Sequence, residues 1–392
     1  MNKIEKLLNE LCPNGVEFKS LGEVANFRRG SFPQPYTKTE WYGGEDSAPF
    51  VQVADVGDNM KLTETTKQTI SKIAQSKSVF VPKNTVIVTL QGSIGRVAIT
   101  QYDSYVDRTL AIFQSYKIPI NIKFFAYVLF MKFDEEKKKA RGGIIKTITV
   151  EEFKQFQIPI PPLKIQEEIV KILDTFTELE AELEAELEAR RRQYEYYRNK
   201  LLSFEYLKTN GVGYELKMLG EVCEIYDKLR KPVAKDKRVK GDYPYYGANG
   251  IQDYVNNYLF EGEYLLIGED GSVINKDNSP VLHFVNGKFW VNNHAHIIQS
   301  KNHNLRFIYY ALQCCNIFDL VKGTPPKLNQ ENLKIIQIPI PPLEVQEKIV
   351  SILDKFHALT TDLQSGIPAE IEARKKQYEY YRNQLLTFKE AI

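Results

Sequence analysis

The stretch QIPIPPLKIQEEIVKILDTF at 157–176 returns almost unchanged as QIPIPPLEVQEKIVSILDKF at 337–356. Two further motifs repeat in the same order around it: LGEV at 21–24 and 219–222, and QYEYYRN at 193–199 and 377–383. Matches of this length in one order indicate an internal duplication. The chain is therefore expected to contain two related halves.

The segments between LGEV and QIPIPPL differ between the copies in length and sequence, although the framing motifs are nearly identical. This predicts one scaffold that carries two different recognition regions. The segment that follows the first long helix has a counterpart at the N-terminus. After the first helix the chain reads Leu201-Leu202, Asn210-Gly211-Val212 and LGEV, and the N-terminus reads Leu7-Leu8, Asn14-Gly15-Val16 and LGEV. The N-terminus thus resembles the segment that would be expected after the second long helix. We therefore expect a circular pseudo-twofold repeat whose chain ends lie close together.

The composition is that of a globular protein, with 392 residues of which 43% are hydrophobic and 26% charged. It excludes a wholly disordered chain. The net charge of +2 does not by itself point to nucleic acid. That average conceals a difference, because residues 1–163 hold 22 basic and 17 acidic residues whereas residues 164–208 hold 8 and 11.

Cysteine use and hydropathy point to the cytoplasm. The cysteines form neither a C-x-x-C pair nor a disulfide framework: Cys12, Cys223, Cys314 and Cys315. The first residues carry acids and lack the apolar core of a signal peptide. No apolar run approaches the roughly 18 residues of a membrane span. We expect a cytoplasmic protein without a membrane segment.

Two long helices are predicted after the Pro-Pro pairs, with apolar residues spaced three and four apart as in a heptad seam. The first seam runs through Ile169, Ile172, Phe176, Leu179, Leu183, Leu187, Tyr194, Tyr197 and Leu201, and the second through Ile349, Ile352, Phe356, Leu359, Leu363, Ile367, Ile371, Tyr378, Tyr381 and Leu385. The second seam has one extra step of four. We expect an antiparallel coiled-coil pair. Two unrelated helices, solvated or oligomerising, are the alternative.

The middles of the two helices differ in sequence. ELEA occurs three times in 178–189 of the first helix, which fits a solvated helical face and also an adjuster of helix length. The matching segment of the second helix contains Gly366 and Pro368, which are expected to kink it.

Each variable region reads as a mixed α/β module in which short apolar runs alternate with turn signals. In the first, strands are expected at Val51–Val53, Val79–Val81, Thr85–Leu90 and Arg96–Ile99, before a helix at Ile122–Lys139. In the second, strands are expected at Tyr264–Ile267, Val281–Val285 and Ala295–Gln299, before a helix at Asn304–Asn316. The predicted class is α+β, with recognition domains at 1–163 and 209–343 and helices at 164–208 and 344–392.

Basic and amide side chains gather in the predicted loops. Arg and Lys suit phosphates and guanine edges, whereas Asn and Gln suit adenine edges. The candidate DNA-binding residues are Arg28, Arg29, Gln91, Ser93, Arg96, Arg108, Lys146, Lys228, Arg230, Lys231, Asn249, Asn292, Asn293, His294, His296 and Lys327. For any single one of them, an ordinary solvated surface is the alternative. His294-x-His296 could be a metal pair, but no third ligand is evident and no metal is assigned.

The sequence contains neither a P-loop nor a G-x-G-x-x-G fingerprint, and no catalytic residue is assigned. Together with the duplicated layout, this favours a binding subunit. The alternatives are a single-chain DNA-modifying enzyme with an unrecognised centre and a coiled-coil adaptor for protein partners.

These motifs resemble the specificity subunit of type I restriction–modification systems over essentially the whole chain. The resemblance is carried by LCPNGVEFKSLGEV at 11–24, both QIPIPPL-containing helices and both QYEYYRN blocks. It implies that the variable regions are target recognition domains, each reading one half of a split sequence in double-stranded DNA. The helices would set the gap between half-sites. The first helix has the ELEA array where the second has a GIPAEIEAR-like segment, so the resemblance does not fix the length of that gap.

The resemblance also implies partners and cofactors. Two methyltransferase subunits would bind S-adenosylmethionine and methylate adenine N6, and two restriction subunits would use ATP and Mg, so that this chain holds no cofactor itself. The tyrosines of each QYEYYRN block are too spread for one helix face, which leaves at least one aromatic ring for a partner or, alternatively, for packing on the adjacent globular domain. The candidate partner-binding residues are Tyr194, Tyr196, Tyr197, Tyr378, Tyr380 and Tyr381.

Overall fold

The structure is a computed structural model that describes residues 3–57, 59–139, 148–209 and 213–391. The chain divides into two compact units, the first formed by Met1–Ala181 with Glu372–Ile392 and the second by Glu182–Ile371. Each unit thus combines one recognition region with parts of both helical stretches. The division falls inside the helices, and the domain boundaries given above stay predictions.

The first unit opens with a short helix and then alternates strands with brief helical turns. In chain order its elements are α1 (Lys3–Leu11), β1 (Phe18–Ser20), α2 (Leu21–Val24), β2 (Ala25–Arg29), β3 (Ala48–Val51), β4 (Gln68–Ile70), α3 (Lys72–Gln75), β5 (Val79–Val81), β6 (Val86–Thr89), β7 (Val97–Ile99), β8 (Ser104–Val106), β9 (Leu110–Tyr116), α4 (Ile122–Lys139), α5 (Val150–Lys154), β10 (Gln157–Pro159) and the first part of α6 (Leu163–Leu201).

Two four-stranded sheets, ordered β2-β9-β6-β7 and β4-β3-β8-β5, make up the recognition region of the first unit. The buried rings of α4, Phe124 and Phe125, join Phe113 of β9 and Phe153 of α5 in its main core. The antiparallel ladder β1·β10 pairs Ser20 with Gln157 at the base of the region. The predicted helix at Ile122–Lys139 is confirmed.

The second unit repeats this order with longer strands. Its elements, after the second part of α6, are α7 (Phe204–Thr209), β11 (Glu215–Met218), α8 (Leu219–Val222), β12 (Cys223–Ile225), β13 (Lys240–Gly247), β14 (Gly250–Val255), β15 (Phe260–Gly268), β16 (Leu282–Val291), β17 (Ala295–Ser300), α9 (Leu305–Leu312), α10 (Gln330–Lys334), β18 (Gln337–Ile340), α11 (Leu343–Thr361) and the start of α12 (Ile367–Leu386), whose remainder belongs to the first unit. Strands β12-β17-β15-β16-β13-β14 form one sheet, and β11·β18 repeats the basal ladder.

The duplication is confirmed at the level of single hydrogen bonds. A glutamine lies four residues after each Pro-Pro pair and is buried. Its side-chain amide links the start of its own helix to the residue that directly precedes α4 or α9 in the recognition region. Gln166 donates to the Pro161 carbonyl at 2.7 Å and accepts from the Asn121 amide at 2.8 Å. Gln346 makes the same pair of bonds, to the Pro341 carbonyl at 2.8 Å and from the Asn304 amide at 3.0 Å.

The two chain ends meet inside the first unit, as the circular repeat predicts. The Val16 amide donates to the Lys389 carbonyl at 2.8 Å, and the Ala391 amide donates to the Val16 carbonyl at 3.0 Å. The ring of Phe388 packs near Phe124, with centroids 6.5 Å apart. The C-terminal residues are therefore part of the first core.

Helix-to-helix contacts occur within each unit. In the first, Phe176 of α6 stacks on Tyr381 of α12 at 5.4 Å, and Glu180 pairs with Lys375 at 3.3 Å, so the helices run in opposite directions. In the second, Tyr197 of α6 stacks on Phe356 of α11 at 5.6 Å. A continuous coiled coil through both units stays a prediction.

The predicted extents of the two long helices that follow the Pro-Pro pairs are wrong. α6 ends at Leu201, because the Ser203 hydroxyl accepts the Tyr206 amide at 3.1 Å and begins a new helix. The second helix breaks after Thr361, where the Asp362 carboxylate accepts the Gln364 amide at 2.7 Å. The break near Gly366 and Pro368 is as predicted. It leaves the expected seam residue Leu363 73% exposed, so Leu363 does not pack in a seam.

The strand predicted at Val51–Val53 is also wrong. The strand ends at Val51, and residues Val53–Asp55 form a 3-10 turn. The buried Asp55 carboxylate accepts the amides of Gln52 at 2.8 Å and Lys67 at 2.9 Å, so it holds the backbone in a turn. Over the described ranges, no helix combines the length and apolar character needed to cross a bilayer.

Candidate DNA interface

The predicted residues of the first recognition region meet at one end of its β2-β9-β6-β7 sheet. The Gly30 amide, at the end of β2, donates to the Leu110 carbonyl at 3.0 Å. The Leu90 amide, at the end of β6, donates to the Thr109 carbonyl at 2.8 Å. The loops after β2 and β6 and the turn before β9 are therefore neighbours.

A glycine is needed where these loops meet. A Cβ at Gly30 would lie 2.2 Å from the Val106 carbonyl oxygen, so a side chain there would clash with backbone. This close approach fixes the exit of β2 beside the turn that carries Arg108.

The first-region side chains differ in how free they are. Arg28, Gln91, Ser93 and Arg108 are exposed, and Arg108 also lies over the Phe32 ring at 4.7 Å. Arg96 is half-buried and donates to the Val56 carbonyl at 3.3 Å. Arg29 is half-buried with an Nε that has no hydrogen-bond partner among the described residues. Lys146 lies outside the described residues.

The second recognition region uses the same end of its sheet. Gly268, at the end of β15, pairs with Ala295, at the start of β17. The Tyr226 amide, after β12, donates to the Ile297 carbonyl at 2.8 Å. Strands β12, β15 and β17 thus take the places that β2, β6 and β9 take in the first unit, and their loops gather in the same way.

Most of the second-region candidates are exposed at this end. They are Lys228, Lys231, Asn249, Asn293, His294 and Lys327. The Asn292 side chain is buried instead; it donates to Gln252 of β14 at 3.2 Å and accepts the His294 amide at 2.8 Å. Asn292 therefore ties the loop before β17 to the β13–β14 hairpin.

Arg230 and His296 belong to a buried group that we call the Asp227 cluster, formed by Asp227, Arg230, Glu269 and His296. His296 Nδ1 lies 2.6 Å from Asp227 Oδ2, and its Nε2 lies 2.7 Å from the Leu328 carbonyl. Oxygen acceptors therefore face the ring on both sides and fix its orientation. Arg230 Nη1 donates to Glu269 Oε2 at 2.6 Å, and Arg230 Nη2 lies 3.4 Å from Asp227 Oδ2.

Lys327 adds a further cation beside the cluster, with its Nζ 3.3 Å from Glu269 Oε1. Burial alone raises the pKa of Asp227, but the hydrogen bond from His296 and the charges of His296 and Arg230 outweigh it and lower the pKa below its ordinary value. Among the described residues, Asp227, Glu269 and His296 form the one group with three ligand atoms within 4.8 Å. Arg230 and Lys327 already face both carboxylates, so we interpret the group as an ion-pair network.

The suggested metal pair His294-x-His296 is not brought together. His294 precedes β17, is exposed and has Nδ1 hydrogen-bonded to Asp270. His296 is 1% exposed and faces the Asp227 cluster. The two rings serve different carboxylates.

The repeated tyrosines divide into packed and exposed rings. Tyr194 donates to Gln313 at 3.1 Å, and burial raises its pKa to about 12. Its counterpart Tyr378 is also half-buried. Tyr197 and Tyr381 stack on Phe356 and Phe176. These two stacked rings are still 36% and 41% exposed, and Tyr196 and Tyr380 are more exposed, at 59% and 60%. Tyr196 and Tyr380 are therefore the most accessible ring of each block.

The sequence analysis does not identify the acidic half of the cluster, Asp227 and Glu269. The available signal was the Asp227–Arg230 spacing of three, which places an acid and a base on one turn. Their common partner His296 lies 69 residues from Asp227, which no local pattern shows.

The fold and these surfaces define a duplicated α/β binding protein, with a basic, amide-rich loop surface at one sheet end in each half. The chain matches the family described as the type I restriction modification DNA specificity domain over residues 13–189 and 211–373, and it belongs to that family. It is accordingly a specificity subunit of a type I restriction–modification system, which confirms the resemblance carried by its repeats.

Relatives extend over both halves of the chain. It is 30% identical to the EcoprrI specificity subunit of Escherichia coli over 382 residues, which cover 93% of this chain and 92% of the relative. A protein of Haemophilus influenzae, named as a candidate specificity subunit, is 46% identical over 186 residues, about half of each chain (46% and 48%).

Solved structures share the fold. The S subunit from M. genitalium has a TM-score of 0.54 at 17% identity and covers 95% of this chain and 96% of its own. A chain from a type I system, described for complex assembly and conformational transition, has a TM-score of 0.63 at 16% identity, with 95% and 98% covered. These structural similarities show that the chain has the same fold.

Proposed function

We propose that each recognition domain reads one half of a bipartite site in double-stranded DNA with the loops at its sheet end. The observation that carries this is the equivalent placement of β2-β9-β6 and β12-β17-β15, with exposed cationic and amide side chains on both. Such groups provide phosphate contacts for position and base-edge contacts for sequence. Because the loops differ between the domains, the two half-sites differ.

The helices have two roles in this proposal: they set the gap between half-sites and hold two methyltransferase subunits. Tyr196 and Tyr380 support the second role, because two matching exposed rings suit two copies of one partner. The chemistry belongs to the partners, with S-adenosylmethionine on the methyltransferase and ATP and Mg on two restriction subunits. This chain itself catalyses nothing and binds none of these cofactors.

The charge distribution fits a shared DNA clamp. Residues 1–163 carry five more basic than acidic residues, which attracts few phosphates. We expect the isolated chain to bind DNA weakly and the complex with methyltransferase to bind it strongly, with a marked salt dependence.

The test is co-expression with the cognate methyltransferase, followed by mapping of modified adenines. Replacing residues 22–156 with the corresponding region of a relative should change one half-site and leave the other half-site and the gap as they were. The unaltered chain is the control. A change in both half-sites, or methyl transfer by the purified chain alone, would contradict the proposal.

A further inference from the structure

The Asp227 cluster joins four separate segments of the second recognition region. Asp227 and Arg230 come from the turn after β12, Glu269 follows β15, and His296 lies in β17. The fourth segment, 327–330, is held through the Leu328 carbonyl, the Lys327 ammonium and the Gln330 amide, which donates to Asp227 Oδ2 at 3.1 Å.

Three of these segments place a polar side chain next to the buried anchor, exposed for Lys228 and His294 and half-buried for Asp270. Lys228 lies between Asp227 and Arg230 in the chain, Asp270 follows Glu269, and His294 precedes His296 by two residues. The backbones are joined as well, since the Glu269 amide donates to the His294 carbonyl at 2.9 Å and the Leu328 amide to the Glu269 carbonyl at 2.8 Å. A shift of one anchor would therefore move several exposed groups.

Stability alone is a weak reason for such a cluster. Its side chains are 1% to 13% exposed. Buried ion pairs cost desolvation, and packed apolar residues of similar size often serve as well or better. Fixed hydrogen-bond geometry is what apolar residues cannot supply, and base-edge recognition requires such geometry.

We infer that Asp227, Arg230, Glu269 and His296 are positioning residues for recognition of the second half-site. They act through the exposed side chains that they hold in register and do not contact bases themselves. This rests on the proposed reading of one half-site by the second domain. It predicts that their substitution degrades discrimination at that half-site and leaves the first half-site unaffected.

The experiment compares Glu269→Gln with the double variant Glu269→Gln/Arg230→Gln, both in the complete complex with methyltransferase. The double variant removes one buried charge of each sign and so restores the balance that the single variant upsets. The matched control is Glu261→Gln on β15, a side chain that is 61% exposed and lies 3.9 Å from Lys288 Nζ. Binding is measured to oligonucleotides carrying single mismatches in either half-site, together with the melting temperature of each complex.

For both cluster variants we expect the penalty of a second-half-site mismatch to shrink by about tenfold, a large part of what one base pair contributes. First-half-site penalties should stay within about twofold. The double variant should recover melting temperature without recovering discrimination, which a purely structural role would not produce.

Unchanged second-half-site penalties in assembled variants, an equal loss at both half-sites, or recovery of discrimination with melting temperature would overturn the inference. If the single variant does not assemble, the double variant decides alone. Failure of the proposed function would look different, because the unaltered complex would then show no second-half-site penalty for any variant to reduce.

Discussion

At the residue scale, the same sequence block gives different fates to neighbouring side chains. Tyr194 is half-buried against Gln313, Tyr197 stacks on Phe356, and Tyr196 stays exposed beside Lys200. The second block repeats this division with Tyr380 as its exposed ring. Tyrosine is a frequent energetic anchor of interfaces, and the same position is exposed in both blocks.

The variant Tyr196→Ser/Tyr380→Ser should therefore lose both methyltransferase subunits, and each single variant should lose one. Removing such an anchor costs about 2 kcal/mol, or roughly 30-fold in affinity per site. Native mass spectrometry of the co-expressed complex counts the subunits. Tyr254→Ser is the control, because this ring is 51% exposed on β14, outside both blocks. Retention of two subunits by the double variant would contradict the assignment.

At the element scale, periodicity predicted what local sequence determines. α4 and β5 lie where apolar spacing placed them. Side-chain hydrogen bonds decided the errors, since Ser203 begins a new helix and Asp362 caps the break in the second helical stretch. In the candidate site, too, local sequence predicted some residues, and contacts between distant residues determined the others. Lys228 was recognisable as an exposed loop cation. Arg28 is exposed as well but lies in β2 and not in the predicted loop, and burial of Arg230 depends on Glu269, 39 residues away.

Deleting Glu182–Ala185 from α6 should shorten the preferred gap between half-sites and leave both half-sites unchanged. Four residues are slightly more than one turn, so the apolar face keeps nearly the same direction while the helix loses about 6 Å. That length corresponds to about one to two base pairs. Mapping of modified adenines measures the gap, and Glu182→Gln, which keeps the length, should not alter it. Altered half-sites with an unaltered gap would count against a spacing role.

At the scale of the whole molecule, the chain ends belong to one unit. Val16 pairs with the backbone at 389–391, and Phe388 packs against the first core. The second unit obtains the corresponding stretch from the middle of the chain, so its closure requires no terminus. The two units should therefore respond differently to the loss of the C-terminal residues.

Removal of residues 388–392 should destabilise the first unit by about 2–4 kcal/mol, the usual cost of losing a large packed apolar side chain. The second unit should keep its stability. Hydrogen exchange separates the two, with β9 reporting on the first unit and β17 on the second. Faster exchange in both strands, or in neither, would show that the ends do not act as described.

The basal ladders have a consequence for how such proteins change. In the first unit the chain enters the recognition region beside Ser20 and leaves it beside Gln157, and these residues are paired; Met218 and Gln337 do the same in the second. Paired strand residues lie roughly 5 Å apart. Entry and exit are thus adjacent, so the length and the fold of the chain between them do not affect the geometry of the scaffold. We therefore expect that one recognition domain can be replaced as a unit. Such a replacement would change the DNA target and leave the partner-binding helices unaltered.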